Sequence, residues 1–142
     1  MGWKLASGPE PIPAAVRSRV TQWGKEKLPR IECSITFLQM AEGGRSSPPQ
    51  FLSGDRYRPH LVIGDPSQRE AKMDGGWSSE EYIGVAFHEG PTTPEAEKEL
   101  SVVLTLMYFP HPMYGKLNAG TTFTVREGSK VVGYGTVCRW LD

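Results

Sequence analysis

Apolar and polar residues alternate with period two along most of the chain after Pro29. Ile31, Cys33, Ile35 and Phe37 alternate with Glu32, Ser34 and Thr36, which predicts a strand with one face in a core. The run Tyr57 to Ile63 predicts a second strand, with Pro59 at an edge or strand start because it lacks a backbone donor. Ile83, Val85 and Phe87 predict a third. Leu100 to Phe109 is nearly continuous and apolar, so coverage on both faces is expected. Thr121 to Glu127 and Lys130 to Leu141 flank Gly128-Ser129. A glycine in the first turn position predicts a type II′ hairpin. Gly133 and Gly135 share one face of the last strand, where a bend or a close strand approach is expected.

Between these runs lie a loop at 42–59, which overlaps the start of the second run, and polar connections at 64–80, 89–99 and 110–120. The first is dense in glycine, proline and arginine. Residues 64–80 are expected to be a long polar connection, within which Trp77 reads either as an exposed contact or as an anchor folded back on the body. The carboxylates at 80–81 and 95–99 read as solvated charge runs, and His111-Pro112 as a stiff turn. Ahead of the strands, Pro13 to about Leu28 predicts a helix. Val16, Val20, Trp23 and Lys27 fall on one side of it, and Pro29 ends it. The organisation expected is therefore an N-terminal segment, 1–30, and an all-β body, 31–142. About six antiparallel strands with strong bends tend to close into a small barrel, which removes exposed edges.

The 142 residues suit one domain. The 16 glycines and 12 prolines favour short strands and turns over a helical bundle. A net charge of zero argues against strong nonspecific nucleic-acid binding, while leaving room for a local basic patch. No stretch approaches the eighteen or so apolar residues of a membrane helix, and the first residues lack the apolar run of a secretory signal, so a cytoplasmic protein without membrane contact is expected. Cys33 and Cys138 are too few for a disulfide framework, and read as two reduced thiols packed as small hydrophobes.

Catalytic and cofactor patterns are missing from the sequence. No phosphate-cradling G-x-x-x-x-G-K-[ST] loop is present, so no nucleotide is expected. His60, His88 and His111 lack ligand spacing, and neither cysteine pairs with a histidine in a recognisable nucleophile motif, so neither metal nor other cofactor is expected. A non-enzymatic binding module is the reading that remains.

Two separated motifs carry a resemblance. Glu42-Gly43-Gly44-Arg45 follows the first strand, and Arg56-Tyr57-Arg58-Pro59 leads into the second. The end reads Phe123-Thr124-Val125-Arg126-Glu127-Gly128-Ser129-Lys130, followed by Val132-Gly133 and Gly135-Thr136-Val137. Together these resemble the third, C-terminal domain of elongation factor Tu over residues 31–142. Departures are Ser46 and Ser129, a longer first loop, an expanded 64–80 connection, and no counterpart of the GTPase or second domains. The resemblance implies a six-stranded antiparallel barrel without a catalytic role. It also implies contact surfaces for the T-stem backbone of tRNA and for protein partners. By position these are Gly43, Gly44, Arg45 and Ser46 in the first loop, and Arg126, Glu127, Gly128, Ser129 and Lys130 in the hairpin. Arg58 is expected to pin the loop through backbone carbonyls.

Three functions are thus in play. The first is a docking module for a protein: the elongation factor, its exchange factor, or a toxin that targets it, the last making this an immunity-type protein. The second is a tRNA acceptor and T-stem binder. The third is a small-ligand-binding barrel.

Overall fold

The computed structural model describes residues 28–141. The helix expected between Pro13 and Leu28 lies outside the described residues except for Leu28 itself. Eight strands form: β1 (Arg30–Phe37), β2 (His60–Ile63), β3 (Met73–Asp74), β4 (Trp77–Ser78), β5 (Ile83–Glu89), β6 (Glu99–Leu106), β7 (Thr122–Glu127) and β8 (Lys130–Leu141). Six of them close an antiparallel barrel in the order β1-β6-β5-β2-β7-β8, and β3 with β4 makes a separate two-stranded ribbon. Closure leaves no free barrel edge.

Alternation sends Ile31, Cys33, Ile35 and Phe37 inward to meet Leu61, Val85, Phe87, Leu104, Phe123, Val125 and Val137. Each buried Leu, Ile or Phe contributes roughly 1.5–3 kcal/mol through removal of apolar surface from water. The filled interior speaks against a ligand held inside the barrel. The β1–β8 seam is unusually tight. A Cβ on Gly135 would lie 2.2 Å from the Ser34 carbonyl oxygen, and one on Gly133 would lie 2.7 Å from that of Thr36. The paired glycines of the last strand therefore serve close approach.

Several boundaries differ from expectation for local reasons. β2 starts at His60 because Pro59 cannot donate. The Pro59 and Tyr57 carbonyls still accept from Val85 and Phe87, so pairing with β5 continues one-sidedly. The apolar run after Leu100 leaves the sheet at Leu106, where Phe109 and the buried Tyr114 turn over the end of the barrel. The Tyr114 hydroxyl donates to the Gly84 carbonyl and accepts from the Tyr108 amide, and burial pushes it up to about 12. His111 Nδ1 accepts from Met113 N at 3.1 Å, stiffening the His-Pro turn.

The register shifts at three places, one of them between Phe87 and Glu89 where β5 meets β6, and the other two are bulges where β8 meets its neighbours. One lies opposite Glu32 and Cys33, between Val137 and Arg139, and it turns Cys138 to solvent while Cys33 stays buried. The expectation of two buried thiols is corrected for Cys138. The other falls between Val125 and Arg126, just before the final turn. There Gly128 takes φ 61° while Ser129 keeps a negative φ, the pattern of a type II′ turn. The 64–80 connection is more ordered than its polarity suggested. Gly75 and Gly76, at φ 63° and 91°, make the tight turn that joins β3 to β4. Among the described residues no helix is long and apolar enough to cross a membrane.

Candidate functional site

The 38–59 loop and the 126–130 hairpin meet at one end of the barrel. The loop begins with a single 3-10 turn, Met40–Glu42, closed by Gly43 at φ 93°. Gly44 follows, and a Cβ there would lie 2.1 Å from the Leu38 carbonyl oxygen. This pair of glycines is thus required for the local path, because one supplies a left-handed turn and the other a close approach.

Arg45 then crosses to the hairpin. Its guanidinium meets Glu127 Oε2 at 2.7 Å, and its Nε donates to the Ser47 carbonyl at 3.1 Å. The same Glu127 oxygen accepts from the Tyr57 hydroxyl at 2.6 Å. Burial, reinforced by that bond to Glu127, holds the Tyr57 phenol above its ordinary range, so it stays a donor. The Tyr57 ring packs on Phe87 and Phe37, with centroids at 5.1 and 6.2 Å. Tyr57 therefore couples the aromatic core to the loop and the hairpin at once.

The far side of the loop is pinned too. Arg58 Nε donates to the Asp55 carbonyl at 2.8 Å, the backbone role expected of it. Asp55, at φ 60°, accepts from Thr105 Oγ1 at 2.7 Å, and its amide donates to the Phe87 carbonyl. Leu52 is buried in the core. Ser46, Ser47, Gln50, Phe51 and Arg56 stay outward in the middle of the loop, as do Met40 and Arg58 toward its ends. Phe51 is 58% exposed, with the Arg56 guanidinium 5.3 Å from its ring centroid. A groove of about 460 Å³ runs from Ser47, Pro48 and Phe51 to Thr92, Thr93 and Pro94.

The hairpin residues divide. Gly128, Ser129 and Lys130 are exposed at the turn, and Lys130 has no ion-pair partner among the described residues. Arg126 does not belong to the contact surface. Alternation places it on the outer wall of β7, but residues 64–82 fold over it, and it is wholly buried. Its guanidinium grips Glu80 through two bonds of 2.8 Å and donates from Nε to Thr124 Oγ1 at 2.9 Å. It also reaches the Ser129 carbonyl at 3.2 Å. All three of its nitrogens are bonded within the protein and none meets solvent, so no phosphate can be neutralised there. The expectation of an outward Arg126 is corrected by this burial.

Glu80 is corrected in the same way. Its side chain is 4% exposed, and it is not part of a solvated run. It accepts from Gln68 Nε2 at 2.6 Å and from the Tyr82 hydroxyl at 3.2 Å. The Arg126 bonds hold its carboxyl down at about 2, against the opposing effect of burial. No spacing in the sequence announces this pair. The Asp74-Gly75-Gly76-Trp77 run, however, carries the Gly-Gly signal of a two-residue hairpin. Trp77, at its end, is 79% exposed and anchors nothing.

Among the described residues no group of three or more His, Cys, Asp or Glu side chains converges as a metal site. Comparison with models of known protein families finds no match, and no curated protein matches the chain.

Proposed function

We propose that this chain is a non-enzymatic docking barrel, a relative of the C-terminal domain of elongation factor Tu, which holds a protein partner at the end built from the 38–59 loop and the 128–130 turn. The observation that carries this reading is the Arg45–Glu127–Tyr57 junction. A long polar loop is fixed to a distant hairpin, while Phe51 and Arg56 stay turned to solvent. An aromatic and an arginine on a pre-set loop are the residue types that dominate protein interfaces, and prior ordering lowers the entropy lost on binding. The candidate partners are the elongation factor, its exchange factor, or a toxin directed at it.

The test is titration of the purified chain with each candidate, alongside the Phe51→Ala and Arg56→Ala variants. Binding by the wild type that weakens at least about tenfold in both variants supports the reading. Absence of binding to all three, or binding indifferent to both substitutions, overturns it.

A second reading rests on Lys130, exposed beside the glycine turn. In this reading Lys130 and Arg45 contact the T-stem backbone of tRNA. Arg45 is already paired with Glu127, and Arg126 is buried and contributes nothing, so few cations remain for phosphate. A tRNA titration at low salt, with Lys130→Ala flattening the salt dependence, is the outcome that would favour it.

A further inference from the structure

The ribbon β3–β4 is unexplained by the barrel's own stability. Its strands are two residues each, and nothing in the core needs them. A two-stranded ribbon is marginal by itself in water. This one is secured at its base. Ser79 N donates to the Lys72 carbonyl at 3.0 Å, directly below the Met73–Ser78 pair. The next residue, Glu80, is locked onto buried Arg126 by two bonds of 2.8 Å. Gln68 spans the other leg, donating to both the Glu70 carbonyl and Glu80 at 2.7 and 2.6 Å.

Such anchoring contrasts with what the ribbon carries. Trp77 is 79% exposed and Met73 57% exposed. An indole contributes a large apolar area with few torsions to freeze, which is why tryptophan is over-represented at the energetic centres of protein interfaces.

Charge narrows the class of partner. Residues 64–82 hold Asp65, Glu70, Asp74, Glu80 and Glu81 against Arg69 and Lys72. Glu80 is taken by Arg126, and Glu81 by Lys116 at 2.8 Å. Arg69 is turned back on its own chain, with its guanidinium 5.2 Å from the Tyr134 ring centroid and bonds to the Pro66 and Gln68 carbonyls. Outside those two ion pairs, Asp65, Glu70 and Asp74 stand against Arg69 and Lys72, and Asp74 is the cross-strand partner of Trp77 itself. That small acidic excess, with Asp74 beside Trp77, disfavours phosphate and anionic lipid and complements a basic rim.

We propose that the Met73–Ser78 ribbon is a protein-docking projection whose Trp77 indole enters an apolar pocket edged by Lys or Arg side chains on a partner protein. The surface is distinct from the 38–59 loop and stands without any family relationship. Arg126 joins the two, since its guanidinium holds Glu80 at the ribbon's base and the Ser129 carbonyl in the turn.

The experiment places a photoreactive residue in the full chain, Trp77→p-benzoylphenylalanine, with Glu95→p-benzoylphenylalanine as the exposed control, and irradiates producing cells. The expected adduct joins position 77 to one protein other than this chain. Peptide mapping puts the link in an apolar pocket bordered by basic residues, and the control gives no such adduct. Titration of that purified partner then gives binding weakened about 30-fold or more by Trp77→Ala and several-fold by Asp74→Lys. Unfolding midpoints stay unchanged, and Glu95→Ala leaves the affinity as it was. Adducts to RNA, to a second copy of this chain, to the same proteins as the control, or to nothing overturn the proposal, as does undiminished binding by Trp77→Ala.

Discussion

Arg126 and Glu80 face each other through two parallel bonds of 2.8 Å, closed off from water between the wall of the barrel and the segment that crosses it. The pair fixes where residues 64–82 lie. A guanidinium and a carboxylate taken out of water hold together only when both are fully bonded, and here Thr124, Gln68, Tyr82 and the Ser129 carbonyl complete the set.

Removing one partner should therefore cost far more than the pair's net contribution. Glu80→Ala leaves a buried uncompensated cation, and destabilisation of roughly 3–5 kcal/mol is expected in urea unfolding. Glu80→Gln, which keeps some of the hydrogen bonds, should fall between that variant and the wild type. A loss below about 1 kcal/mol in Glu80→Ala would mean that the excursion opens without consequence.

The same carboxylate sets an acid limb. Its folded value of about 2 lies below the ordinary 4.5, so its contribution is complete above pH 4.5 and fades as pH falls toward 2. Between pH 5 and pH 2 the wild type should lose roughly 2–3 kcal/mol more stability than Glu80→Gln. Parallel stability curves for the two proteins over that window would remove Glu80 as the cause.

The tight seam between β1 and β8 should not tolerate a methyl group. Gly135→Ala puts a carbon 2.2 Å from a backbone oxygen that the sheet holds in place, and loss of the folded barrel, or at least about 3 kcal/mol, is expected. Gly128→Ala meets open space but must keep φ 61°, so about 1–2 kcal/mol is expected there. Thermal melts of the two variants should differ in that order.

Tyr57→Phe keeps the aromatic cluster and removes the bond to Glu127. A stability loss of about 1 kcal/mol is expected, with faster amide exchange and faster proteolysis confined to residues 46–53. Unchanged local protection would show that Arg45 alone holds the loop.

The thiols should react separately. Burial holds the Cys33 thiol well above the ordinary range, and its neighbour Cys138 stands in solvent at a bulge. A chromogenic thiol reagent should titrate one cysteine of the two in the native protein and both in denaturant. Two fast thiols under native conditions would contradict the burial of Cys33.

The strands of the barrel were legible because period two survives any tertiary arrangement. Ile31 to Phe37 and Phe123 to Val125 show it directly, and the glycine turn at 128–129 and the glycines at 133 and 135 point to a hairpin and a close seam. Trp77 left its two readings open, since an indole suits either a core or an interface, and only its position beyond the second glycine of a ribbon turn decides between them. For Arg45, sequence marked the loop but not Glu127, its partner across 82 positions.

Alternation of side chains thus determined, from sequence alone, a curved antiparallel sheet with one apolar face, because each residue's side of a strand follows from its neighbours. The tertiary structure decided which outward residues meet solvent. Arg126 is charged and on the polar side of the β7 alternation, and Glu80 is charged and sits in a polar connection. They are buried only because the segment that carries Glu80, 46 residues from Arg126 in the chain, lies across β7, and local spacing carries no information about that.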